Sequence, residues 1–257
     1  MSTKGTSTKG MSTKATIAAY LPETARKWVN ARRLRSMRIR NSRRSVEEVF
    51  ADVYANGRWG GGGPGFNSGT GSRGRAAEAY ASYVRELLDI NGPLCVVDVG
   101  CGDFEVASAF VDSAYEYIGL DVVPALIERN RALYGSDSVD FRRLDATTAE
   151  LPEGDLCLVR QVFQHLSNDQ IDRILWQCRH FPAVLITEHW PAPELATEPN
   201  VDKPHGPDTR LDSGSWVDIR QAPFSCRHVT EVLCVPAPAP LYHRGETIRT
   251  FLWRPYG

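Results

Sequence analysis

The segregation of apolar and polar positions divides the 257-residue chain into a polar opening, two amphipathic helical runs and a long alternation of apolar strands with helices. Ser45 and Glu48 spell the S-x-x-E capping box. Val46, Val49, Phe50, Val53 and Tyr54 follow at helical spacing, with Gly57 where a C-cap belongs. A second amphipathic run spans Ala77 to Ile90, with Tyr80, Tyr83, Val84, Leu87 and Leu88 on one face, and stops at Gly92-Pro93. Beyond it come LCVVDV, a helix from Glu105, YEYIGLD, a helix from Pro124, VDFRRLD, LCLVR, a helix capped by Ser167 with Gln170 three residues on, and AVLITEH. This order predicts a doubly wound α/β fold whose parallel sheet is covered on both faces. The last two apolar runs, HVTEVLCV and TIRTFLWR, have no full helix between them. The final strand is therefore expected to return antiparallel, giving a seven-stranded, mostly parallel sheet preceded by an N-terminal helical cap.

Composition changes this picture mainly through charge. Residues 1–44 carry 12 Lys or Arg against one acid, Glu23, which leaves the other 213 residues with a net charge of −12. The chain divides accordingly. Residues 1–23, with MSTKG, TSTKG and MSTKA in succession, are a low-complexity tail expected to be disordered. Residues 24–44 are a basic arm of helical composition, 45–92 the helical and glycine-rich cap, and 93–257 the α/β core, with an insertion at 191–226. Deleting residues 1–44 is expected to leave ligand binding by the core intact.

The nine basic residues between 26 and 44 suit phosphate contacts, so a nucleic-acid-binding protein, or an RNA-directed enzyme using this arm, is the alternative reading. The acidic body argues against it, since it would repel a polyanion at any crevice of the core. Parts of the arm are also candidates for homodimer contacts.

No apolar run reaches the length of a membrane span and no secretory signal is present, so a cytoplasmic location is expected. The six cysteines form no CxxC pair and read as reduced thiols. Glu188, His189, Asp202 and His205 are metal-binding residue types, but their spacing matches no ligand motif, so no metal is expected.

In a doubly wound sheet, ligands sit beyond the carboxyl ends of the strands. Here those ends are Asp98-Val99-Gly100-Cys101-Gly102-Asp103, Asp121, Asp145 and Arg160-Gln161. Gly100 and Gly102 allow close backbone approach, and Asp121, 23 positions after Asp98, falls where an acid takes a ribose diol. A dinucleotide is disfavoured, because Glu105 replaces the third glycine of G-x-G-x-x-G and Asp98 and Asp103 flank the turn, where they would repel a pyrophosphate. Carboxylates there suit a ligand bearing an ammonium and a sulfonium.

Through VVDVGCGDFEVA, YIGLDVVPALIERNRALY, FRRLDATTAELPEGDLCLVRQVFQHL and LITEHWP, the chain resembles class I S-adenosylmethionine-dependent methyltransferases over roughly residues 46–256. The resemblance implies that Asp98, Gly100 and Gly102 surround the methionyl part of the cofactor and that Asp121, beside Val122, binds the ribose. It also implies that Asp145 and Ala146 meet the adenine and that Gln161 lies beside the sulfonium. The chain departs from many members in having Phe104 where they have a third glycine.

Residues 57–74 hold 9 of the 21 glycines around Trp59. With the S-G-x-G-S stretch they resemble the N-terminal cap of a subset of small bacterial members, which implies that Trp59 covers the cofactor and that Ser68 and Gly69 bind its carboxylate. For a hydroxyl acceptor the site needs a base, and His165 and His189 both fall just beyond strand ends. The long polar segment 191–226 is expected to bind the acceptor. Glu188, just before it, and Asp202, His205 and Arg210 within it are the candidate residues, and the segment's mixed charge, Lys203 and Asp218 included, suits a polyhydroxylated, carboxylated or phosphorylated small molecule. The function expected is O-methylation of a sugar, an acid or a natural-product intermediate.

Overall fold

The structure, a computed structural model, describes residues 23–60, 65–237 and 245–257. The expected tail therefore lies outside the described residues up to its last position, Glu23. Five α-helices are described: α1 (Glu23–Asn41), α2 (Val46–Ala55), α3 (Arg75–Asn91), α4 (Pro124–Tyr134) and α5 (Asn168–Cys178). The strands are β1 (Cys95–Val99), β2 (Glu116–Asp121), β3 (Val139–Arg143), β4 (Leu156–Arg160), β5 (Ala183–Trp190), β6 (Val229–Pro236) and β7 (Thr247–Trp253).

They form one seven-stranded sheet in the order β3-β2-β1-β4-β5-β7-β6. The first five run parallel, while β7 is antiparallel to both β5 and β6. This is the doubly wound sheet with an antiparallel last strand that the apolar alternation predicts.

Because successive strand residues face opposite sides, the two cores can be read from β1 alone. Val97 and Val99 join the core that includes Val46, Phe50 and Val53 of α2 and Ile171 and Ile174 of α5. Val96 joins the core on the other face, with Tyr80, Val84 and Leu88 of α3 and Ile127 of α4. Both sequence-read capping boxes are present: the hydroxyls of Ser45 and Ser167 accept from the backbone N–H of Glu48 and Gln170, whose side chains reach back to the cap N–H groups. They fix where α2 and α5 begin, and these are the helices that flank the carboxyl ends of the strands.

One expected element differs. No α-helix starts at Glu105; two 3₁₀ turns, Ala107–Ala109 and Val111–Ser113, return the chain to β2. Phe104 occupies the left-handed region at φ 67° and is buried among Tyr117, Tyr134 and Phe141, which ends the glycine loop late and shortens the return segment. A 3₁₀ rise of about 2.0 Å per residue covers that path with fewer residues than the 1.5 Å of an α-helix.

Helix α1 is fastened to the insertion. Arg38 Nε donates to Asp208 Oδ2 at 2.9 Å, the Arg44 carbonyl meets His205 Nε2 at 3.0 Å, and Asn41 is buried. The side chain of Asp208 is only 4% exposed, so removing Arg38 strands a buried carboxylate beside Lys203. Deleting residues 1–44 is accordingly expected to lower the melting temperature by about 5 °C, the equivalent of about 2 kcal/mol for a domain of this size, while S-adenosylhomocysteine affinity holds within about twofold. Differential scanning fluorimetry and calorimetric titration of the truncated chain check the two halves separately.

Candidate active site

Beyond the carboxyl ends of β1, β2, β3 and β4 lies a cavity of about 1060 Å³. Its floor is the β1 turn. Gly102 adopts φ +57°, and a Cβ there would lie 2.4 Å from Ser68 Oγ, so glycine is required both for the conformation and for the approach of the cap.

The cap and the floor are clasped together. Ser68 N–H donates to Asp103 Oδ2 at 3.1 Å, Asp103 N–H donates back to Ser68 Oγ at 2.8 Å, and Tyr54 Oη lies 3.0 Å from the same hydroxyl. Arg73 also pairs with Asp103 at 3.1 Å. The next cap residues are held through Arg160, whose Nη2 donates to the Gly71 carbonyl at 2.6 Å. Gly69 N–H is taken by Asn67 Oδ1 at 2.9 Å. The polar groups of Ser68 and Gly69 expected to meet a carboxylate are thus engaged within the protein, because the cap must be tied to the β1 turn. Tyr54 and Arg73 were not among the sequence candidates, and Asp103 was read only as an acid flanking the turn; the S-G-x-G-S and G-x-G-D stretches carry the interaction, but only the fold brings them together.

Two acids stand over the floor, Asp98 buried and Asp121 half-buried. Asp98 accepts from Tyr117 Oη at 2.7 Å, and burial pushes its carboxyl up to about 6 against the pull of that bond and of Arg160. Asp121 is also raised to about 6 by burial, while the N–H groups of Val123, at 3.0 Å, and Gly102, at 3.2 Å, favour its charged form. Asp145 accepts from Thr147 N and Thr147 Oγ1, an Asx turn that holds Ala146 at the cavity wall.

At the end of β4, Gln161 is forced to φ +57° while its N–H donates to the Thr187 carbonyl at 2.7 Å. Such strain in a non-glycine residue concentrates at functional turns. All eleven residues that the resemblance places at the cofactor line this one cavity: Trp59, Ser68, Gly69, Asp98, Gly100, Gly102, Asp121, Val122, Asp145, Ala146 and Gln161.

Both candidate bases line it too. His165 packs edge to face with Phe50 and lies 5.1 Å, centroid to centroid, from Trp59. Its Nδ1 is 3.2 Å from the Gly206 carbonyl, which accepts only from a protonated nitrogen and so assigns the tautomer with Nε2 unprotonated, where the Gln164 amide nitrogen lies 3.4 Å away. Burial, with Lys203 nearby, pushes this imidazole down to about 4. His189 is likewise lowered to about 4 by burial, and its Nε2 lies 3.1 Å from Glu246 Oε2.

The four candidate acceptor residues do not reach the cavity. Glu188 is buried beneath it, accepting from the N–H groups of Phe163 at 2.9 Å and Gln164 at 3.1 Å, and burial raises its carboxyl to about 8. Arg210, 1% exposed, donates to the carbonyls of Val201 and Leu166. Asp202 caps α5 by accepting from Asn168 N at 2.7 Å, and His205 lies between Gln170 and Arg44. These polar groups hold the insertion on the core. The insertion presents instead Pro207, Thr209, Leu211 and Asp212 to the cavity, joined there by Asn30 of α1 and by Glu246 just before β7. Among the described residues no group of three or more His, Cys, Asp or Glu side chains is arranged to hold a metal ion, and no helix is long and apolar enough to cross a membrane.

Residues 96–181 match the family model described as a methyltransferase domain. No curated protein matches the chain. Among solved structures, the fold is similar to 1,6-didemethyltoxoflavin-N1-methyltransferase of Burkholderia thailandensis, 16% identical over 81% of this chain and 87% of that one, with a TM-score of 0.52. It is also similar to magnesium protoporphyrin IX methyltransferase from Synechocystis PCC 6803, 14% identical over 82% of this chain and 98% of that one, also at 0.52. Residues 96–181 thus form a methyltransferase domain, carried on a seven-stranded sheet with the class I fold. The chain is a methyltransferase enzyme that uses S-adenosylmethionine.

Proposed function

We propose that the chain transfers a methyl group to an oxygen of a small molecule, a sugar or a natural-product intermediate, with His165 as the base. The observation that carries this reading is the His165 imidazole, its Nδ1 3.2 Å from the Gly206 carbonyl, in the same cavity as the strand ends proposed to bind the cofactor.

The donor set fits S-adenosylmethionine. The carboxylates at the strand ends favour a ligand carrying ammonium and sulfonium charge, and the cavity is at the upper end of the range of about 300–1,000 Å³ common for ligand sites. Asp121 and Val122 would take the ribose, Asp145 and Ala146 the adenine, Asp98, Gly100 and Gly102 the methionyl group, and Gln161 the vicinity of the sulfonium. Ser68 serves by fixing the β1 turn, and Trp59 closes over the site from the cap, its Nε1 aimed at the Pro207 carbonyl at 3.5 Å. When bound, the cofactor supplies an electrophilic methyl group. The protein aligns the acceptor oxygen in line with it, excludes water with Trp59 and Phe50, and receives the hydroxyl proton at His165 Nε2.

The pH dependence follows from burial. A group held down to about 4 stays neutral through the range where a free histidine titrates, so kcat/KM is expected to lose activity on the acid side near pH 4 rather than near 6.5. His165→Ala should retain S-adenosylhomocysteine affinity and slow transfer by about 10²-fold or more, within the usual range for a general base. Equal rates for the variant would move the proton to His189 or remove the base altogether.

A further inference from the structure

We infer that α1 is part of the active site: through segment 205–208 of the insertion, its residues Arg38 and Asn41 position the His165 imidazole. This rests on the reading of His165 as the base and adds the element that aims it.

Each residue of that segment reaches a different part of the molecule. The His205 ring stands between Gln170 Nε2, 3.2 Å from its Nδ1, and the Arg44 carbonyl, 3.0 Å from its Nε2, and so joins the capping box of α5 to the turn after α1. Gly206 holds His165 twice. Its N–H donates to the His165 carbonyl at 2.9 Å, and its own carbonyl accepts from the imidazole Nδ1 at 3.2 Å. The Pro207 carbonyl faces Trp59 Nε1 of the cap at 3.5 Å, and Asp208 Oδ2 accepts from Arg38 Nε at 2.9 Å.

Helix α1 bears directly on the residue that orients the imidazole. A Cβ on Gly206 would lie 2.8 Å from Asn41 Nδ2 and 2.9 Å from Asp208 Oδ1, and both of those side chains are buried. In a close-packed contact of this kind neither partner has room to retreat. Asn30, about three turns earlier on α1, lines the cavity itself, so the helix walls the site with one end and backs the base with the other. The consequence is chemical. A neutral imidazole has two tautomers, and only the one protonated on Nδ1 leaves Nε2 able to take a proton; the Gly206 carbonyl selects it. Arg38, which reads in sequence as one of a run of phosphate contacts, is thereby an internal partner of Asp208.

The test reads the imidazole itself and needs no acceptor. The full-length protein, isotope-labelled at the histidine nitrogens and saturated with S-adenosylhomocysteine, is examined at pH 7 by long-range proton–nitrogen correlation, with His165 assigned from the signal lost in His165→Gln. The Nδ1-protonated tautomer is expected in at least about fivefold excess, the equivalent of one neutral hydrogen bond. Arg38→Ala and Gly206→Ala should each bring the two tautomers within about twofold of one another while S-adenosylhomocysteine affinity also holds within about twofold. Arg38→Lys, which keeps a cation beside Asp208, should retain most of the excess. Arg38→Ala removes fewer contacts than deletion of residues 1–44, and it decides the matter if Gly206→Ala does not fold. An Nε2-protonated His165 in the unaltered protein, or an excess that survives in folded Arg38→Ala, would overturn the inference. So would loss of cofactor affinity together with the excess, since the segment would then support the whole cavity and not the base. Transfer at an unchanged rate by His165→Ala, with the spectra as expected, would instead remove the base assignment on which the inference rests.

Discussion

Asp121→Ala is expected to weaken S-adenosylhomocysteine binding at least about tenfold, the cost of losing one or two charge-assisted hydrogen bonds. Two effects act together. The carboxylate is the acid at the end of β2 proposed to hold the ribose hydroxyls, and it also accepts from Gly102 N–H at 3.2 Å and Val123 N–H at 3.0 Å. Its removal therefore loosens the β1 turn that carries the cap. Asp121→Asn separates the two, since the amide can still accept from one backbone N–H but loses the charge. Calorimetric titration of both variants reads the outcome. If Asn binds nearly as well as Asp and only Ala fails, the residue organises the turn and the ribose assignment falls; unchanged affinity in Ala removes both roles.

Glu188→Ala is expected to destabilise the fold by about 3–5 kcal/mol, lowering the melting temperature by roughly 10 °C. The side chain is 1% exposed and its two oxygens are the acceptors for Phe163 N–H and Gln164 N–H, so alanine leaves two buried donors unsatisfied and a cavity beside them. Glutamine retains one acceptor and should lose about half as much. The carboxyl is also a source of pH dependence. Its folded value of about 8 lies above the unfolded 4.5, so the folded state binds more protons between them. Its contribution is present in full below about pH 4.5 and is lost as the pH rises through 8. Denaturant unfolding of wild type and Glu188→Gln at pH 5 and pH 8 checks this: the loss on going to pH 8 should be smaller in the variant. Because Glu188 holds the turn bearing His165, its loss is also expected to slow transfer, and correction of that defect by low temperature would indicate a stability effect alone.

These two residues illustrate how differently the site could be read in advance. Asp121 was legible because a β2 acid at a fixed distance from the glycine turn follows from strand spacing alone. Glu188 was legible as a chemically capable residue but not as a structural one. In the sequence it stands beside His189 at the end of an apolar run, and only the pairing of β4 with β5 carries its carboxylate beneath the Phe163 turn instead of into the cavity. Lys203 and Arg210 were misleading for a related reason. A charged residue in a polar loop reads as exposed, yet both are buried, because the insertion folds back on α1 and α5 and needs internal partners.

The sequence by itself determined the layering of helices on a sheet, the antiparallel last strand, the capped starts of α2 and α5, and the row of glycines and acids at the strand ends. Each depends on patterns a few residues long or on distances along one βαβ unit, where local sterics and hydrophobic period suffice. The tertiary structure alone decided that the return from β1 is 3₁₀, that Ser68 and Asp103 clasp each other, and that α1 closes against the insertion. The last two join residues 35 and 170 positions apart, and their burial and charge balance exist only once the strands have fixed which surfaces meet.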